Sequence, residues 1–241
     1  EGLRPVDVIL TSAQNHQAIK DLIEKIEKLR KGRDVYVVGV TNVGKSTLIN
    51  AIIKEITGEK DIITTSRFPG TTLDKIEIPL DDGAYIFDTP GIIHRHQMAH
   101  YLGDKNLKYI SPKKEIKPKT YQLNPEQTLF LAGLGRFDFI SGDKQGFTAY
   151  FDNNLKLHRT KLAGADVFYD KHVGSLLTPP SDKELAEFPK LVRHEFTIKD
   201  KMDVVYSGLG WIRIKASQAN PVNIAAWAPE GVAVLLRKAL I

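Results

Sequence analysis

Cysteine is absent from all 241 residues, which excludes disulfides and thiolate metal sites within them. No apolar run approaches the roughly 18 residues that a bilayer-spanning helix needs, so a membrane protein of the helical kind is excluded. No secretory leader stands at the start of the chain. These absences describe a soluble protein, and a cytoplasmic one is the expectation. What is present suffices for a buried interior: 42% of the residues are apolar, and the length suits one large or two modest domains.

The most informative segment is Gly39-Val40-Thr41-Asn42-Val43-Gly44-Lys45-Ser46. It fits G-x-x-x-x-G-K-[ST] and lies between an apolar run, Val35 to Val38, and a helical pattern. Glycines in such a loop let backbone N–H groups curl around a phosphate. Lys45 then reaches the β and γ oxygens, and the Ser46 hydroxyl ligates Mg²⁺. The residues expected around the phosphates are Asn42, Val43, Gly44, Lys45, Ser46 and Thr47, at the positive end of the following helix.

Downstream, Ala84 to Phe87 reads as a short strand running into Asp88-Thr89-Pro90-Gly91. An acid at a strand end followed three positions later by glycine suits a P-loop protein. Asp88 can hold Mg²⁺ through water, and the Gly91 N–H can meet a γ-phosphate. Between the two motifs lies Phe68-Pro69-Gly70-Thr71-Thr72-Leu73-Asp74, ahead of the alternating Ile76, Ile78 and Leu80, which read as a half-buried strand. A threonine hydroxyl there can close the Mg²⁺ shell. The expected set at the phosphates and Mg²⁺ is therefore Lys45, Ser46, Asp88 and Gly91, with one threonine of this loop, Thr71 or Thr72.

Two further absences qualify this picture. No N-K-x-D occurs anywhere, and the position after Gly91 is Ile92, where many GTPases carry a glutamine that orients the attacking water. Isoleucine cannot hydrogen-bond water, and the likeness to GTPases with a hydrophobic residue here implies slow intrinsic turnover. Ahead of the P-loop, Val6 to Leu10 reads as an apolar strand ending in Thr11-Ser12-Ala13. An amphipathic helix then carries Ile19, Leu22, Ile23, Ile26 and Leu29, closed by Gly32. A strand, Ser-Ala and a helix are what a guanine-contacting loop needs, here moved upstream of the phosphate loop. The order implies circular permutation. The chain opens on Glu1 without a methionine, so it reads as a piece of a longer protein whose preceding segment carries N-K-x-D.

The order of P-loop, threonine loop and D-x-x-G resembles that of translation-factor-class GTPases, in which Thr72 rather than Thr71 aligns with the switch I metal ligand. The permuted order, with F-P-G-T-T-L-D and D-T-P-G-I, resembles the YqeH family of circularly permuted GTPases. That resemblance implies GTP and GDP as ligands, Mg²⁺ as cofactor, and Ser12 and Ala13 at the guanine. It also implies a role in assembly of the small ribosomal subunit and a β-rich recognition domain likened to small RNA-binding β folds. Members of this family usually carry an N-terminal Cys-rich zinc segment, which these residues lack. Asn42 matches the asparagine that ligates K⁺ in potassium-activated GTPases. Arg67 and Arg95 fall in the two presumed switches.

The expected fold is thus an α/β P-loop GTPase domain, three-layered α/β/α and circularly permuted, over residues 1–112, followed by a β-rich domain over 113–241. Lysines 105, 108, 113, 114, 117 and 119 face one acid, Glu115, and read as an extended linker or a phosphate contact. His94, His96 and His100 read as part of a switch rather than a metal site, because no carboxylate or cysteine completes a tetrahedral set. From Gln127 onward, short β runs separated by turns suggest antiparallel hairpins, while 181–192 reads as helix or loop. Tyr150, Phe151, Tyr169, Tyr206 and Trp211 are either stacking platforms for unpaired bases or core residues. The net charge of +5 suits a polyanionic partner. Two other readings stand beside the GTPase: a P-loop ATPase, and a nucleotide-gated RNA- or protein-binding module with incidental hydrolysis.

Overall fold

The computed structural model describes residues 4–40, 43–58, 76–89, 95–103, 105–112 and 114–239, and divides into two compact units, Glu1–Ile93 and His94–Ile241. Among the described residues no helix is long and apolar enough to cross a membrane.

In the first unit, helix α1 (His16–Arg30) starts where the Asn15 side chain accepts a hydrogen bond from the Ala18 N–H, 3.1 Å away. It ends at Lys31, in the left-handed region one residue before Gly32. Strand β1 (Val35–Val37), helix α2 (Lys45–Thr57) and strands β2 (Ile76–Pro79) and β3 (Tyr85–Asp88) follow. The strand order is β1-β3-β2, with β1 parallel and β2 antiparallel to the central β3. Both helices lie on one face: Ile19, Leu22, Ile23 and Ile26 meet Ile52, Val35, Val37 and Ile86, and Ile49 and Ile53 add to Val37 and Ile78. On the opposite face Tyr36 stacks on Phe87 at 4.6 Å, and Tyr85 follows at 5.8 Å. The described residues thus supply the sheet and one helical layer of the α/β/α arrangement. Arg30 closes α1 onto the β2–β3 turn, bridging Glu27 at 2.8 Å and Asp82 at 2.7 Å. The Arg30 hydrogen bond holds the Asp82 carboxyl below its ordinary range.

One expected strand does not form. Residues 6–11 have no strand structure, and Val6, Val8 and Leu10 are 86%, 82% and 98% exposed. Alternating apolar residues make a strand only where a neighbour supplies ladder bonds and cross-strand contacts. Among the described residues β1, β2 and β3 pair only with one another.

The second unit is built from β4 (Lys119–Leu123), β5 (Gln127–Leu131), β6 (Arg136–Ser141), β7 (Gln145–Phe151), β8 (Leu157–Lys161), helix α3 (Ala165–His172), β9 (Val173–Gly174), β10 (Leu177–Ser181), β11 (Leu191–Ile198), β12 (Met202–Tyr206), β13 (Gly210–Ile214), β14 (Val222–Pro229) and β15 (Val234–Lys238). Two antiparallel five-stranded sheets result, ordered β11-β14-β6-β5-β8 and β15-β12-β13-β7-β4, beside a small β9–β10 pair. Alternate residues face one shared core: Leu129 and Leu131, Phe137 and Phe139, Phe147 and Phe151, Ile212 and Ile214, Ile224 and Ala226. This is the period-two pattern that marks a strand with one buried face. At the β12–β13 bend Gly208 has φ 75°, a conformation that side chains beyond glycine rarely adopt.

The two compact units divide at 93/94, ahead of the 112/113 boundary expected between the domains. Met98, Leu102 and Leu107 are buried in the β-rich core, and Asn106 and the Gly103 N–H donate to Glu184. Within the lysine-rich stretch Leu107–Tyr109 forms a 3-10 turn and Lys119 opens β4, while 114–118 carries neither helix nor strand. Helix α3 escapes a reading by periodicity because it has only eight residues and exposes Val167. It covers the outer face of β5, where Phe168 and Tyr169 meet Phe130 and Leu177.

Candidate functional site

Strand β1 delivers the chain to the loop that precedes α2. Gly44 caps α2 with φ 93° and no side-chain hydrogen bond, and the first turn holds no acid. The first backbone bond of the helix runs from the Leu48 N–H to the Gly44 carbonyl. The N–H groups of Lys45, Ser46 and Thr47 therefore stand at the helix N-terminus, where backbone donors and the macrodipole both favour an anion. The Lys45 ammonium folds back over the loop and donates to the carbonyls of Gly39 at 3.3 Å and Val40 at 3.2 Å.

Strand β3 brings the acid. Its parallel register with β1 places Asp88 opposite Val37, and the Thr89 hydroxyl ties the strand ends by donating to the Val37 carbonyl at 2.8 Å. Asp88 is fully buried and accepts from the Ser46 hydroxyl, Oγ to Oδ2, at 2.7 Å. Its other oxygen, Oδ1, is buried with no hydrogen-bond partner among the described residues. A buried carboxylate oxygen without a partner is costly. A hydroxyl and a carboxylate side by side are hard oxygen donors of the kind Mg²⁺ prefers. The donor set therefore fits the cation that the motif implies.

Of the residues singled out in the sequence, the structure brings Lys45, Ser46 and Asp88 to one place, at the β1–α2 turn and the adjoining end of β3. Val43 and Thr47 are exposed at the same turn. Asn42, Thr72 and Gly91 lie outside the described residues, as do Arg67, Ile92 and His94. Ser12 and Ala13 form the turn entering α1. There the Ser12 hydroxyl accepts from the Gln14 N–H at 3.3 Å and its carbonyl from the Asn15 N–H at 3.0 Å. His96 faces the Gly231 carbonyl at 2.9 Å, and His100 sits edge-on to Tyr101. No cluster of metal-ligating side chains occurs among the described residues.

The candidate stacking residues divide. Phe151 and Tyr206 belong to the core, and the Tyr206 hydroxyl, pushed well above its ordinary pKa by burial, donates to the Arg136 carbonyl. Tyr169 bonds to the Gly133 carbonyl at 2.9 Å and anchors α3. Tyr150 and Trp211 are half-buried and stack on each other, centroids 4.9 Å apart at 10°. Sequence reasoning missed two charged clusters on the sheets. In one, Arg136 donates to Asp138 at 2.6 Å, and Asp138 also accepts from Thr128 and Trp227. In the other, Asp203 meets Arg213 and Arg237. The available signal was a charge recurring between apolar residues of a strand, as in Ile212-Arg213-Ile214.

Comparison with known proteins finds two families along the chain, and the GTPase match runs past residue 93 into β4. The family model described as "50S ribosome-binding GTPase" matches residues 34–123, and that described as "YqeH-like, C-terminal" matches 144–240. The chain is 59% identical to "Uncharacterized protein YqeH" of Bacillus subtilis (strain 168) over 241 residues, all of this chain and 65% of that protein. It is 32% identical to "NO-associated protein 1, chloroplastic/mitochondrial" of Arabidopsis thaliana over 99% of this chain and 51% of that one. "tRNA modification GTPase MnmE" of Anaplasma phagocytophilum (strain HZ) is 29% identical over 68% of the chain and 37% of its own length. The chain thus spans about two thirds or less of these relatives. A P-loop GTPase domain joined to this particular β-rich unit, at that level of identity, makes the chain a member of the YqeH-like family.

Proposed function

We propose that the chain is the nucleotide-hydrolysing and recognition portion of a GTP-driven switch acting in assembly of the small ribosomal subunit, with RNA or ribosome contacts made by the β-rich unit. The observation that carries the nucleotide half is the Ser46–Asp88 pair. A buried carboxylate with one unpartnered oxygen lies beside a helix N-terminus and a lysine that spans the phosphate loop. Lys45 leaves the Gly39 and Val40 carbonyls for the β and γ oxygens of the triphosphate, and the loop residues Asn42 to Thr47 cradle them with backbone N–H groups. Ser46, Asp88 and Thr72 hold Mg²⁺, which when bound neutralises charge gathering on the phosphoryl oxygens. The Gly91 N–H meets the γ-phosphate, Ser12 and Ala13 border the guanine, and Asn42 holds K⁺ in place of an arginine finger. The position of α1 and its Ser-Ala turn ahead of β1 supports the permuted order.

Calorimetry with Mg²⁺ tests the nucleotide half. GTP and GDP bind the wild type and ATP does not compete, whereas Lys45→Ala removes the heat; equal competition by ATP assigns the site to an ATPase instead. Hydrolysis in K⁺ exceeds that in Na⁺, and Asn42→Ala erases the difference. Sedimentation with purified subunits tests the partner. Nucleotide-dependent association with the small subunit is expected, and association with the large subunit alone discards that assignment.

A further inference from the structure

The outer face of the β15-β12-β13-β7-β4 sheet carries a cluster that the phosphate site does not use. Strand registers bring Asp203, Arg213 and Arg237 abreast and place Trp211 opposite Tyr150. Both guanidinium groups donate through Nε to the fully buried Asp203 carboxylate, Arg213 at 3.3 Å and Arg237 at 3.4 Å. Each also lies over a ring of the stacked aromatic pair: Arg213 over Tyr150 at 5.0 Å and Arg237 over Trp211 at 4.9 Å. The Arg213 side chain is only 9% exposed, and it donates a second bond to the Tyr150 hydroxyl at 2.8 Å.

The hydrogen-bond accounting of this cluster is incomplete. Nη2 of Arg213, Nη2 of Arg237 and the indole Nε1 of Trp211 are buried donors without an acceptor among the described residues. Buried donors are ordinarily paired. One carboxylate balances one of the two guanidinium charges, so the cluster carries net positive charge, which reaches the surface through Arg237, 37% exposed, and Lys215, just past the end of β13, is exposed as well. Along the same face runs an open cleft of about 530 Å³, bordered by Thr120, Gln122, Thr148, Lys215 and Asn220. Its polar side chains are mainly hydroxyls and amides, with one ammonium, Lys215, and one carboxylate, Asp143, so donors and acceptors stand together. A Cβ at Gly146 would meet the Gln122 amide and the Thr120 methyl, both at 2.9 Å. Glycine there keeps β4 and β7 side chains seated in the floor of the cleft. On the facing sheet α3 covers β5.

We propose that this face is the site at which the β-rich unit takes a single-stranded RNA, with a backbone phosphate at Arg237 and Lys215 and the next nucleotides in the adjoining polar cleft. Guanidinium forks suit phosphate oxygens better than point charges do, and mixed amide and hydroxyl groups suit base edges and the ribose 2′-hydroxyl. An acidic peptide would use the cations and leave the cleft unused. This inference rests on the reading that the β-rich unit contacts RNA, and it names the surface.

The test uses the whole chain and a fluorescein-labelled 12-nucleotide single-stranded RNA of mixed sequence, read by anisotropy. Arg237→Gln with Lys215→Gln is expected to weaken binding by about tenfold and to lower the slope of log K against log salt by about 1.4. Neither residue is in the core, and melting temperature verifies folding. In a Trp227→Phe background Trp211 is the sole tryptophan, and its fluorescence is quenched on RNA binding if a nucleotide arrives beside it. Lys45→Ala leaves both readouts unchanged. If wild type binds RNA but the double variant binds equally well and Trp211 is not quenched, this face is not the site. If wild type binds no RNA at all, the reading of the β-rich unit as an RNA-contacting module fails with it. Displacement by polyglutamate as effectively as by unlabelled RNA assigns the face to acidic protein and overturns the proposal.

Discussion

The first unit buries one face of a three-stranded sheet under two helices, with Ile19, Ile49, Ile52, Ile53 and Ile86 as its interior. The second closes two five-stranded sheets over a continuous core that includes Phe137, Phe139, Phe147 and Tyr206. Chemistry follows the same division. In the first unit the reactive groups gather where β1 and β3 end and α2 begins, because the first turn of a helix leaves its backbone N–H groups unpaired and aimed the same way. In the second, charged groups lie along sheet faces, where every second residue of a strand emerges on the same side. A strand end concentrates donors on one phosphate; a sheet face spreads contacts along a polymer.

The largest expected effect sharpens the contrast in stability. Phe139→Ala should cost about 3–5 kcal/mol and lower the melting of the β-rich unit. Nucleotide heats of the first unit should persist below that transition, and their loss in step with it would break the picture of two separate interiors. Lys45→Ala should do the reverse. It should weaken triphosphate binding by about 100-fold, the equivalent of roughly 3 kcal/mol for charge-assisted hydrogen bonds, while leaving both melting transitions in place.

Smaller effects probe how each unit is fastened. Asn15→Ala removes the side chain that caps α1 and should cost about 1 kcal/mol, visible as a shift in the denaturant midpoint of the first unit alone. In the second unit, burial opposes ionisation of Glu184. Hydrogen bonds from the Ser181 N–H and hydroxyl, the Gly103 N–H and Asn106 outweigh it and hold the carboxyl below its ordinary value of 4.5. A folded value below the unfolded one stabilises above the unfolded value, and that contribution vanishes as pH falls through the folded value. Glu184→Gln should therefore flatten the fall in melting temperature of the β-rich unit from about pH 5 to about pH 3, with little change near neutrality.

Much of this was legible before folding. The phosphate loop is contiguous, so its glycines, Lys45 and Ser46 announce themselves, and the strand runs of the second half alternate clearly enough to be read from Gln127 onward. What was misread shares a cause. Val6 to Leu10 has the residues of a strand but no partner among the described ones, and pairing is a tertiary property. The stretch from Lys105 to Lys119 looks like a charged linker because lysine dominates its charge, yet Leu107 within it settles into the β core, as do Met98 and Leu102 ahead of it. The Asp203–Arg213–Arg237 cluster joins three strands, and no spacing within one segment reveals it.

By itself the sequence determined the phosphate-gripping loop and the alternation that makes the second half a β structure, because backbone conformation and side-chain period act over a few neighbouring residues. Only the tertiary structure decided that Ser46 meets Asp88 across 42 positions, where one unit ends, and which arginines share a carboxylate. Those outcomes depend on which strands become neighbours, and that is set by burial of the whole core rather than by any local pattern.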